Sequence, residues 1–210
     1  MKEIILCKLG EIVLKGLNRK SFEQKLLSNL RHSLYALGSY RVWCSQSTVY
    51  IEAADDKADM DAAFQAAKKV FGIIKLSRAA ACDKDKDTIT ELAKSYLRDE
   101  LMRVKTFKVE TKRSDKGFPL TSIELSQYVG GELAEAFPHL RAEMHEPELV
   151  IHLEVRDVAA YVHASPVDGA GGMPVGSNGV AVSLLSGGID SPVSSYMIAK
   201  RGVRLLPVKV

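Results

Sequence analysis

Val180-Ala181-Val182-Ser183-Leu184-Leu185-Ser186-Gly187-Gly188-Ile189-Asp190-Ser191 is the stretch from which the architecture can be read. Its first six residues form an apolar run of strand length, and Pro192 to Arg201 reads as a helix. Between them lies a glycine turn. At such a junction two glycines let the backbone approach an anion. The hydroxyls of Ser186 and Ser191 and the unpaired amides of the first helical turn can then hydrogen-bond phosphate, which the positive end of the helix dipole also attracts. The arrangement suits a pyrophosphate. It is not a Walker A loop, which ends Gly-Lys-Ser/Thr, nor a dinucleotide fingerprint, which needs a third glycine. The same residues can also be read as a tight turn capped by Ser191, with Pro192 at the first helical position.

Working outward, 210 residues with 46% hydrophobic and 26% charged composition form one or two globular domains with real cores. A net charge of +3 is only mildly basic, so a nucleic-acid surface has to come from local clustering. Cys7, Cys44 and Cys82 are odd in number and far apart, with no Cys-x-x-Cys pair. They read as small buried thiols of a reduced, cytoplasmic protein, not as a disulfide frame or zinc site. Ile4-Ile5-Leu6 is too short for a signal peptide core or a membrane span, so no membrane partner is expected.

The N-terminal segment opens with a strand over Glu3 to Leu9. The glycine-punctuated loop Gly10-Glu11-Ile12-Val13-Leu14-Lys15-Gly16-Leu17-Asn18-Arg19 follows. Phe22, Leu26, Leu27, Leu30, Leu34 and Leu37 recur at helical spacing, and Gly38 ends that helix. A hairpin over 40–44 and 48–53, a helix over 60–71 and a strand over 73–80 complete a βαββαβ order, which predicts a ferredoxin-like unit. Lys15 and Arg19 are either solvated charge or part of a site.

The second segment predicts a helix over 88–101, capped by Asp87 or Thr88 with Glu91 placed for a capping box. Thr106 to Arg113 alternates as a strand, and Ser114 to Leu120 forms a loop. A helix then runs from Thr121 to about Phe137, and a hairpin spans 149–155 and 159–164. Lys105, Lys108, Lys112, Arg113 and Lys116 gather within this strand and loop against only Glu110 and Asp115. Such a cluster can hold a phosphate backbone, with Phe118 either offering a stacking face to an unpaired base or lying in the core. A solvated strand face is the competing reading.

Ser186 to Ser191 in its strand-loop-helix setting resembles the PP-loop of ATP pyrophosphatases. Thr106-Phe107-Lys108-Val109 through Lys112-Arg113, then Phe118-Pro119-Leu120-Thr121-Ser122, then Glu146-Pro147-Glu148 ahead of a strand pair ending Ala160-Tyr161-Val162, resemble the THUMP domain of tRNA-modifying enzymes. Gly10 to Gly16 with Asn18-Arg19 resembles the ferredoxin-like domain that accompanies it. Joined by Gly169-Ala170-Gly171-Gly172-Met173-Pro174-Val175-Gly176, this order is similar to that of the tRNA 4-thiouridine synthetases.

The fold class implied is α+β. A ferredoxin-like domain over 1–60, with its boundary between 54 and 73, precedes an α/β THUMP domain over 61–165. A linker over 166–179 leads to an incomplete parallel α/β PP-loop segment over 180–210. Members of the family use ATP to adenylate uridine 8 of tRNA and replace its oxygen with persulfide sulfur from a cysteine desulfurase.

By the resemblance, Ser186, Gly187, Gly188, Asp190 and Ser191 would hold the pyrophosphate, with Leu184 and Leu185 lining the nucleotide. Asp190 would face Mg2+, which prefers carboxylate and phosphate oxygens; a helix cap is its competing role. Lys209 and Val210 stand where the family has His-Phe near the adenine, a departure in side-chain chemistry. The acceptor end of tRNA would meet Lys15, Arg19, Lys108, Lys112, Arg113 and Lys116. The complete enzyme would be a homodimer.

Two strands and one helix fall short of a doubly wound domain, and the persulfide-forming cysteine of the family lies further on. No catalytic residue is therefore assigned, and the chain by itself is expected to bind tRNA without thiolating it. The alternative reading is a non-catalytic THUMP-type RNA-binding module.

Overall fold

The computed structural model of the chain describes residues 2–210. They form two compact units, one made of Ser77–Pro166 with the chain up to Ile4, the other of Ile5–Leu76 with Val167–Val210.

The chain starts in the predicted βαββαβ order: β1 (Lys2–Leu9), α1 (Arg19–Leu34), β2 (Tyr40–Ser45), β3 (Thr48–Ala53), α2 (Met60–Lys68) and β4 (Ile73–Cys82). The strands lie in the order β2-β3-β1-β4. Helix α1 buries Leu26, Leu30 and Leu34, the spaced leucines that define it. Helix α2 starts where the Asp59 carboxylate accepts the Ala62 amide at 2.9 Å, and it buries Ala63 and Ala67. Alternate strand residues Ile5, Cys7, Val49 and Ile51 join both helices in one core.

The hairpin turn places Gln46 and Ser47 at φ of 47° and 61°, the conformation that follows the twist of a two-residue hairpin. Across the ladder Trp43 opposes Tyr50, their rings stacked at 5.2 Å. The loop after β1 is two short 3-10 turns, Glu11–Leu14 and Gly16–Asn18. Because α2 and the first half of β4 belong with α1, the unit runs on to Leu76, beyond the expected boundary window.

The other unit contains α3 (Lys86–Tyr96), α4 (Arg98–Arg103), β5 (Thr106–Arg113), α5 (Ser122–Ala136), β6 (Arg141–Ala142), β7 (Leu149–Val155) and β8 (Ala160–His163). The single helix expected over 88–101 is two helices, because Leu97 leaves helical geometry at φ −99°, ψ 17°. Its cap also lies earlier than expected. The Asp85 carboxylate accepts the amides of Asp87 and Thr88 and so satisfies the first turn without Glu91.

Strand β5 runs parallel to β7, β7 antiparallel to β8, and β8 antiparallel to the second half of β4. The order is β4-β8-β7-β5-β6. Phe107, Ile151, Leu153 and Val155 face Ile89, Ala93, Leu125, Val129 and Leu133 of α3 and α5. Helix α5 opens with a complete capping box between Thr121 and Glu124, at the residue where the sequence places its start.

The expected linker is built into the ferredoxin-like unit. Strand β9 (Val167–Asp168) pairs with β4, the Gly171 amide donates to the Ile73 carbonyl and the Gly72 amide donates to the Gly171 carbonyl, both at 2.8 Å. Met173 is 1% exposed and lies in the core with Ile12, Leu26 and Val70. On its other side the strap holds the final segment, β10 (Val180–Leu185), α6 (Asp190–Lys200) and β11 (Arg204–Lys209). The Met173 amide donates to the Lys200 carbonyl, and the amides of Gly176 and Asn178 both donate to the Gly202 carbonyl. Gly172 has φ +71°, and a Cβ there would run into the Lys200 carbonyl, so only glycine lets the strap approach so closely.

Candidate nucleic-acid interface and pyrophosphate loop

Strand β5 delivers the basic cluster, and its alternation sorts the side chains. Phe107, Val109 and Thr111 turn toward α5, where Thr111 meets the Ser126 hydroxyl at 2.8 Å. Lys108, Glu110 and Lys112 take the opposite face. There Lys108 pairs with Glu110 at 2.9 Å and Glu110 lies 3.7 Å from His152. The His152 ring stacks on His163, which reaches Glu154 at 3.4 Å, and Glu154 pairs with Arg156. The Lys108 ammonium holds the Glu110 carboxyl below the usual range. Burial, and then the neighbouring His163, push His152 down to about 4. Lys108 is thus engaged within the sheet, whereas Lys112 is exposed.

At the end of β5, Arg113 turns back into the protein. Its Nη1 donates to the carbonyls of Phe118 at 2.8 Å and Leu120 at 3.1 Å, which closes the loop between β5 and α5. Phe118 is 6% exposed, so of its two readings the core one holds. Lys116 stands exposed at the tip of the same loop.

Beside β5 and α5 lies a cleft of about 720 Å³ whose walls include Val109, Lys112, Ile123, Gly130, Ala134 and Met144. Ile123 is 70% exposed. Sequence reasoning missed this cleft, although Gly130-Gly131 in the middle of a helix was a signal for it: two adjacent positions without side chains leave room beside the helix.

In the other unit, Lys15 lies over the Phe22 ring at 5.3 Å. Arg19 bonds Glu23 at 2.6 Å and the Ser47 hydroxyl at 2.9 Å, so it braces the hairpin turn. Leu14 and Leu17 of the same loop are largely exposed, at 82% and 103%.

The glycine turn has the strand-loop-helix form read from the sequence, with a difference at Ser191. Helix α6 begins at Asp190 and has no side-chain cap. Instead the Ser191 hydroxyl accepts the Ser186 amide at 3.1 Å and lies 3.2 Å from the Ser186 hydroxyl, which draws the two ends of the loop together. A Cβ added at Gly187 would meet nothing within 4 Å, so the outer side of the loop is open. Parallel pairing sets Leu185 opposite Lys209, and the Val210 amide donates to the Leu185 carbonyl at 3.0 Å. Leu185, Ser186, Lys209 and Val210 therefore meet at one end of the β10–β11 pair. A helix start, two hydroxyls and one lysine fit a polyphosphate.

None of the three cysteines is paired, and burial pushes Cys44 and Cys82 up to about 11 and Cys7 higher still. Such thiols are inert. Among the described residues there is no metal-binding cluster of His, Cys, Asp and Glu, and no helix is long and apolar enough to cross a membrane.

Comparison with known proteins assigns each of these parts. Residues 4–77 match the ThiI ferredoxin-like domain, 83–164 the THUMP domain, and 176–210 the family described as thiamine biosynthesis protein (ThiI). The chain belongs to the ThiI family.

Its relatives include probable tRNA sulfurtransferases of Acetivibrio thermocellus and Alkaliphilus oremlandii. The first is 44% identical over 98% of this chain and 53% of the relative. The second is 42% identical over 97% of this chain and 52% of the relative. The ThiI-family chain thus spans about half the length of the curated relatives it matches. A solved 4-thiouridine synthetase, crystallised with RNA and bound ATP, is 29% identical with a TM-score of 0.85, over 100% of this chain and 53% of that one. A Pyrococcus horikoshii protein shares the fold at a TM-score of 0.88 and 24% identity, over 100% of this chain and 68% of that one.

Proposed function

We propose that this chain is the tRNA-docking and pyrophosphate-loop portion of an ATP-dependent tRNA sulfurtransferase that makes 4-thiouridine at position 8. The observation that carries the reading is the joining, in one ThiI-family chain, of the exposed Lys112 and Lys116, the first of them lining a cleft, with an open glycine loop at Ser186–Ser191. One such loop suits a nucleic-acid backbone and the other a nucleotide. A solved relative was crystallised with both RNA and ATP, which supports the pairing of roles.

In this reading the acceptor end of tRNA lies across Lys112 and Lys116, with Lys15 and Arg19 as contacts from the ferredoxin-like domain. Lys108 and Arg113 contribute through the sheet and the loop that they brace. ATP, when bound, supplies the adenylyl group that turns the uridine oxygen into a leaving group. The amides of Gly187 and Gly188 and the hydroxyls of Ser186 and Ser191 hold its pyrophosphate. Asp190 would offer its carboxylate to Mg2+, and Leu184, Leu185, Lys209 and Val210 would flank the nucleotide. The sulfur comes from a cysteine desulfurase, the complete enzyme is a cytoplasmic homodimer, and groups outside these residues complete the chemistry.

A salt-series titration of the chain with a tRNA transcript, run beside the same transcript lacking its 3′ single-stranded end, tests the docking half. Log affinity should fall with log salt, and Lys112→Ala with Lys116→Ala should flatten that slope by about two. Equal, weak binding of both transcripts would remove the acceptor-end assignment.

A further inference from the structure

The loop that carries Lys116 is held by a residue from outside it. Lys84, just ahead of α3, is half-buried, and its ammonium donates to Asp115 Oδ2 at 2.6 Å and to the Asp157 carbonyl at 2.8 Å. The other Asp115 oxygen accepts the Gly117 amide at 2.8 Å. One carboxylate thus ties the loop's own turn to a lysine, and that lysine ties it to the hairpin between β7 and β8. The Ser114 amide bonds the Val155 carbonyl at 2.9 Å, Arg113 takes two carbonyls, and Phe118 is buried. Almost every part of this loop except the Lys116 side chain is therefore fixed from behind.

We infer that Lys84 is a positioning residue for RNA docking: through Asp115 it fixes the Ser114–Leu120 loop in the shape that presents the exposed Lys116, without touching a phosphate itself. The inference rests on the docking reading above. The physical gain is preorganisation. A loop already held in its docked form does not have to be ordered when RNA arrives, so the cost of association falls. The two lysines are chemically alike but differ in what they face: the charge of Lys84 is turned onto a carboxylate and a carbonyl, and that of Lys116 is turned outward.

The sign of one substitution separates this role from simple electrostatics. Asp115 is an acidic group within a phosphate-facing loop, so if only charge mattered, Asp115→Asn would tighten RNA binding. Loss of positioning predicts the reverse.

The experiment uses the full 210-residue chain and a tRNA transcript in a salt series, with amide exchange over Ser114–Leu120 measured without RNA. Lys84→Met and Asp115→Asn should each weaken binding roughly three- to tenfold while the salt slope stays that of the wild type. Lys116→Ala should instead lower the slope by about one. Loop exchange should speed up in Lys84→Met, and Lys84→Arg should restore both readouts. Tighter binding by Asp115→Asn, a slope change in Lys84→Met, or unchanged loop exchange would each overturn the inference while docking itself stood. A wild type without salt-dependent affinity for tRNA would overturn the docking reading and this one together.

Discussion

Met173→Ala asks whether the glycine-rich segment is a tether or a built part of the ferredoxin-like unit. Met173 is 1% exposed within the same core as Ile12, Leu26 and Val70, and its own amide is bonded to Lys200, so the backbone cannot easily sink to fill a hole. Large-to-small changes at such sites cost transfer energy plus a cavity term, and we expect about 3 kcal/mol. With a urea dependence of about 1.5 kcal/mol per molar, the midpoint should fall by about 2 M. Trp43 is the single tryptophan and lies in this unit, stacked on Tyr50, so its fluorescence follows the relevant transition. Met102→Ala, at a residue 57% exposed in the other unit, serves as control and should stay within about 0.5 kcal/mol. A loss at Met173 no larger than the control's would show that the segment is a tether and that the strap contacts carry no stability.

Arg113→Lys keeps the charge and loses the guanidinium that reaches two carbonyls. Thermal unfolding should show a loss of about 1–2 kcal/mol, with the RNA salt slope largely kept. A lysine variant as stable as wild type would contradict the staple. His152 is pushed down to about 4 from an ordinary 6.5, so between those values the unfolded chain binds the extra proton. Stability should therefore fall as pH drops from about 6.5 toward 4, and His152→Gln should flatten that decline. An NMR titration placing the imidazole near 6.5 would refute it.

Much of the fold was legible because local chemistry and tertiary environment agreed. The leucines of α1, the start of α5 at Thr121 and the 149–163 hairpin each satisfy their own backbone groups or expose one clear apolar face, and each formed where expected. The helix over 88–101 misled for the same local reason. Its apolar spacing continues through Leu97, yet the backbone leaves helical geometry at that residue and divides the segment into two helices.

The candidate site was legible in composition only. A count of lysines and arginines along β5 and its loop does not say which cations point at a partner. Arg113 closes a loop, Lys108 pairs with Glu110, and Lys84, outside the cluster, holds Asp115.

By itself the sequence determined the order of modules, the strand-loop-helix form around Ser186–Ser191 and the α+β class, because these follow from periodicity, glycine placement and motif order along the chain. Tertiary structure alone decided that Gly169–Gly176 is a strap with a buried methionine, that Ser191 closes the Ser186–Ser191 turn instead of capping α6, and which basic residues remain exposed. Those outcomes depend on hydrogen bonds and ion pairs between residues far apart in the chain, such as Lys84 with Asp115 and Met173 with Lys200. A local pattern carries no record of the partner that folding will bring.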